Sequence, residues 1–126
     1  MQDGRFNVMF GRDEIMLTAL ALGARAAVGS TYNYMSPLYL RIIDAFESGD
    51  IESARADQSR AIEVVSLLHK YGGGAGKAIM KITGVDCGPV RPPLRNLSDE
   101  QQAELRSDLE RIGFFDYCSK MPRRSY

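Results

Sequence analysis

Apolar and polar positions follow two rhythms along this chain. Phe6 to Phe10 (Phe-Asn-Val-Met-Phe) is a short apolar run that stops at Gly11. Ala26-Ala27-Val28 is a second run, closing at Gly29-Ser30. Both read as buried strands, at about 6–10 and 26–29. Between them Ile15, Met16, Ala19, Leu20 and Leu22 recur at helical spacing, and Gly23 is a natural C-cap. Strand, helix and strand in so short a span is the βαβ rhythm of a parallel sheet.

After Ser30 the period is helical. Ser36-Pro37 offers an N-cap followed by proline at the first helical position. Leu38, Tyr39, Ile42, Ile43 and Phe46 then share a face, and Gly49 ends it. Asp50 can cap the next helix, whose stripe is Ile51, Ala54, Ala61, Ile62, Val65 and Leu68, running to Tyr71. Glycines 72 to 74 break it, and Ala75 to Thr83 is a shorter helix. Residues 84–97, with three prolines, form an irregular connector. Ser98 and Gln101 make a capping box, with Asp99 and Glu100 in the favourable first turn. Leu105, Leu109 and Ile112 give the last helix its buried stripe, and Gly113 stops it. Two adjacent parallel strands do not make an independent sheet, so the pattern implies partner strands beyond these two.

Composition narrows the function. Lys+Arg and Asp+Glu are 16 each, so no global field draws the chain to nucleic acid or an anionic membrane. Lys120, Arg123 and Arg124 form the only basic cluster, in a tail read as solvated. The longest apolar stretches are interrupted well before a membrane-spanning length, and no apolar signal core follows the N-terminus. A cytoplasmic location is expected, with Cys87 and Cys118 as free thiols. Gly72-Gly73-Gly74-Ala75-Gly76-Lys77 resembles a phosphate loop, but Tyr71 replaces its first glycine and Ala78 its magnesium-binding hydroxyl. It reads as a helix–helix junction. His69, the single histidine, makes neither a metal cluster nor a triad.

Gly11-Arg12-Asp13-Glu14 and Gly29-Ser30-Thr31-Tyr32-Asn33 resemble the Gly-x-Asp-Glu and Gly-Ser-Thr-Tyr-Asn motifs of the N-acetylneuraminate lyases. These belong to the dihydrodipicolinate synthase superfamily of (β/α)8 barrels. The resemblance extends over roughly residues 4 to 115. It implies an α/β fold by family, mostly α in this chain. The chain would carry the last two βα units of a TIM barrel (residues 1–48), the helical C-terminal appendage (49–115) and a tail (116–126). The strands at 6–10 and 26–29 would be the seventh and eighth of the barrel. Barrel enzymes place their chemistry at the C-terminal ends of the strands, where both motifs fall.

The function implied is that of a class I aldolase cleaving sialic acid to N-acetylmannosamine and pyruvate, with no metal and no bound cofactor. In such enzymes a lysine amine forms a Schiff base with the keto carbon, and the imine acts as the electron sink. By the resemblance, that lysine belongs on the sixth strand. A proton-shuttling tyrosine belongs on the fifth, and a carboxylate-holding turn follows the second. Lys70, Lys77, Lys81 and Lys120 all lie off the candidate strands, so the isolated chain is expected to be inactive.

The residues implied on the sugar side are Gly11, Asp13, Glu14, Gly29 and Ser30. Asp13 and Glu14 would accept hydrogen bonds from sugar hydroxyls, which suits acceptor-only carboxylates. Gly11 would admit close backbone approach, and Ser30 would add a hydroxyl. Arg12 stands where some members carry an aromatic residue. The partner expected is a small-molecule substrate, sialic acid or a related 2-keto acid, with no nucleic acid and no membrane. A homo-oligomer is expected, as is common for the family. Two alternatives compete: a non-catalytic oligomerising module derived from the barrel, and a related 2-keto-acid aldolase such as dihydrodipicolinate synthase.

Overall fold

The structure is a computed structural model describing residues 5–6 and 8–120. Arg123 and Arg124 of the basic tail and Asn7 of the first strand lie outside the described residues. Helix α1 (Met16–Ala21) follows a 3₁₀ turn at Asp13–Ile15. Helices α2 (Tyr32–Glu47), α3 (Ile51–Tyr71), α4 (Ala75–Ile82) and α5 (Asp99–Arg111) come next, and a 3₁₀ turn at Phe114–Asp116 closes the order.

The strand expectation is corrected. Among the described residues the two runs meet in one parallel bridge, Phe10 with Ala27. It is held by Phe10 N–H to Ala26 O (2.9 Å) and Val28 N–H to Phe10 O (2.8 Å). The register is that of adjacent parallel strands, but no ladder extends from it. Phe6, Val8, Met9 and Val28 are exposed rather than buried. A parallel pair gains its stability from burial on both faces and from neighbours on both edges, and among the described residues this pair has neither.

The helices follow their caps. Asp50 accepts from Ser53 N–H (3.0 Å) at the start of α3. Ser98 and Gln101 complete the capping box of α5. Helix α2 begins earlier than Ser36-Pro37 suggests. A turn at Tyr32–Tyr34 precedes the main helix, with a break at Met35 (φ −141°, ψ 34°). Pro37 thereby falls in the first turn of the main helix, where a missing N–H costs little. The break frees the Tyr34 carbonyl, which accepts from Ser119 N–H (2.7 Å).

The core lies between α2, α3, α4 and α5, with Met35, Leu38, Ile42, Val64, Ile79, Leu105 and Leu109 fully enclosed. Ile62, assigned above to the buried stripe of α3, is exposed, and Val64 takes its place. The last segment also differs from a free tail. Tyr117 and Cys118 are buried, and Phe114 is enclosed, edge-on to Tyr34, Phe115 and Tyr117. Aromatic area this large packs because leaving it in water costs roughly 25 cal/mol per Å².

The glycine run is a helix–helix junction. A Cβ on Gly74 would stand 2.5 Å from the Arg95 carbonyl oxygen, so the 84–97 connector can lie directly on the start of α4. The Lys77 ammonium donates to the carbonyls of Cys87 (3.1 Å) and Pro89 (2.7 Å), fastening the same connector.

Candidate active site

Two turns create the site. The chain leaves Phe10 through Gly11 into the Asp13–Ile15 turn, and leaves Ala27 through Gly29-Ser30 into α2. The parallel bridge sets these exits side by side. All five residues named from the sequence, Gly11, Asp13, Glu14, Gly29 and Ser30, line one open depression of about 960 Å³. The α3–α4 junction forms its far wall and contributes Lys77.

The five are not equivalent. Gly11 and Ser30 are exposed and Glu14 is half-buried. The Glu14 carboxylate pairs with the Arg12 guanidinium at 3.4 Å, so Arg12 supplies a charge at the rim. Asp13 is buried, with its side chain directed at the Gly29–Thr31 turn. Its Oδ2 accepts from the Thr31 amide (3.1 Å) and the Thr31 hydroxyl (2.5 Å). Its Oδ1 is buried without a hydrogen-bond partner among the described residues. A Cβ on Gly29 would fall on that oxygen, which makes glycine obligatory beside it.

Residues outside the sequence assignment hold this arrangement. Thr31 Oγ1 lies 2.8 Å from the Tyr39 hydroxyl. A threonine hydroxyl carries one proton, and an ionised carboxylate only accepts. Thr31 therefore donates to Asp13 and accepts from Tyr39. Burial raises the pKa of the Tyr39 phenol, opposed by its bond to Thr31 and reinforced by the Asp13 charge, so the proton that Tyr39 donates stays in place. Tyr32 and Tyr34 are likewise raised, first by burial and then by the nearby Asp13 charge. The Tyr34 hydroxyl is a second buried group without a partner among the described residues.

Gln58 clasps the loop from α3. Its Oε1 accepts from Leu17 N–H (2.9 Å), and its Nε2 donates to the Asp13 carbonyl (3.3 Å). It stands four residues after Ala54 and three before Ala61, within the buried stripe. A polar residue at such a position is the signal that points to it.

A sequence profile of the Dihydrodipicolinate synthetase family matches residues 2–112. The chain belongs to this family. The N-acetylneuraminate lyase of Rattus norvegicus is 38% identical over 116 residues, which cover 90% of this chain and 36% of that protein. Among solved structures, the N-acetylneuraminate lyase of Proteus mirabilis superposes with a TM-score of 0.86 at 40% identity, covering 90% of this chain and 39% of that one. That of Aliivibrio salmonicida gives 0.84 at 41% identity, covering 89% and 38%. The chain thus spans a little over a third of the length of the relatives it matches. Its architecture is that of the end of a (β/α)8 barrel followed by a helical appendage. The depression is lined by the turns that follow the two bridged segments, at Gly11 and Gly29.

Proposed function

We propose that this chain forms the sugar-binding side of a class I aldolase acting on sialic acid or a closely related 2-keto acid. The observation that carries the reading is the convergence of the Gly11–Glu14 and Gly29–Ser30 turns on one depression. Asp13, Glu14 and Ser30 line the depression, residue types suited to a polyol. Similarity to N-acetylneuraminate lyases points to the same substrate class. In this reading the imine-forming lysine comes from outside these residues. Lys70 is tied to Asp108 and Tyr71, and Lys77 to the connector carbonyls. In this reading the 126-residue chain alone is inactive in carbon–carbon cleavage. The complete enzyme works in the cytoplasm as a homo-oligomer and needs no metal or bound cofactor.

A complete enzyme containing this segment provides the test. Asp13→Ala should raise KM for the sugar acid and lower kcat/KM by a factor corresponding to about 1.5–3 kcal/mol, the worth of a charge-assisted hydrogen bond. Unchanged kinetics on sialic acid would remove Asp13 from the site.

A further inference from the structure

Conformation or packing accounts for most glycines among the described residues. Six of them, Gly23 and Gly72 included, take positive φ. At Gly29, Gly73 and Gly74 an added Cβ would stand 2.5 Å or less from a neighbouring atom. Gly11 and Gly76 remain, and neither has positive φ. A Cβ on Gly11 would make one ordinary contact, 3.6 Å from the Val28 carbonyl oxygen, and one on Gly76 would meet nothing within 4 Å. Both line the depression. Gly76 is the more telling of the two, because it lies inside α4. Glycine there weakens a helix relative to alanine through the backbone freedom it loses on folding. Neither backbone geometry nor a neighbour requires it, and the open space beside it belongs to the depression.

The surface bordering that space is apolar. Met80 follows Gly76 by one turn on the same face of α4. Leu94, from the connector, lies against Gly73, and Leu68 and Val90 line the depression with them. Arg12, Glu14, Ser30 and Asn33 line it from the two turns, so its lining is polar there and apolar around α4. We infer that Gly76 is a specificity-determining residue: its missing side chain leaves room on α4 for an apolar substituent of a sugar ligand, seated beside Met80 and Leu94. The inference rests on the sugar-side reading above and adds which ligands the depression favours. These are ligands whose hydroxylated body carries a small apolar arm, such as the methyl end of an acylamino group. Such an arm is stabilised by leaving water against this wall, and a side chain at position 76 would take its place.

The test titrates the ¹⁵N-labelled 126-residue chain in parallel with N-acetylmannosamine and with mannose, which lacks the acyl arm, and follows the amide shifts. Wild type should bind both saturably and N-acetylmannosamine more tightly, with shifts at residues 76–80 for that sugar alone. Gly76→Leu should weaken N-acetylmannosamine about tenfold, the discrimination that a filled pocket position gives, and leave mannose unchanged. Gly76→Ala should act in the same direction by less while raising the urea midpoint, and it stands in should Gly76→Leu not fold. Equal wild-type affinity for the two sugars, or an undiminished preference for N-acetylmannosamine in the folded variants, would overturn the inference and leave the sugar-side reading intact. Absence of saturable shifts with either sugar in wild type would overturn both.

Discussion

Three buried carboxylates, Asp13, Asp57 and Asp108, each accept hydrogen bonds from a neighbouring part of the fold. Asp57 on α3 takes both the Nε and an Nη of Arg41 from α2, each at 2.8 Å, and pairs with Arg60 on its own helix. Burial by itself would raise the pKa of this carboxyl, but the hydrogen bonds and charges of Arg41 and Arg60 outweigh it and hold the group below the usual range. A carboxyl lowered in the folded state stabilises the fold above its unfolded pKa, about 3.9, and that stability is lost as pH falls through the folded value. Wild type should therefore exceed Asp57→Asn in stability at neutral pH, and the gap should close in acid below about pH 4. Urea denaturation of both proteins across that range checks this; a gap independent of pH would contradict it. Such residues mark the limit of reading from sequence. Asp13 and Glu14 were legible because a motif names them. The partners of Asp13 lie 18 to 45 residues away, and local spacing carries no record of such contacts.

Helices were far more legible than strands. The start of α3 at Asp50 and of α5 at Ser98 follow from capping groups three residues from the amides they serve. Ser98→Ala should cost about 1 kcal/mol, measured as a lower urea midpoint at unchanged slope. A midpoint equal to wild type would mean that the capping box adds nothing to the fold. The 6–10 and 26–29 runs have strand sequences but form a single bridge among the described residues, because a strand is stabilised by cross-strand neighbours that its own sequence does not supply. The segment after Gly113 was legible only as the end of a helix. Its packing is non-local: Phe114 reaches Tyr34, and Ser119 fills the carbonyl left open by the break at Met35.

At the scale of the molecule, an enclosed helical core stands beside an open edge. The appendage helices bury their faces against one another and against α2. Among the described residues, Phe6 58%, Val8 63%, Met9 56% and Val28 61% stay exposed around one bridge. The site lies between these two parts. Its acceptors come from the barrel turns, its wall from the α3–α4 junction, and its orientation from Tyr39 and Gln58. The proposed reading assigns substrate contacts to this chain, while Lys70 and Lys77 serve structural contacts. The most direct measurement is borohydride trapping with pyruvate on the folded 126-residue chain, read by intact mass. The account predicts no lysine adduct; a single specific adduct would show that the imine-forming amine lies within these residues and would contradict it.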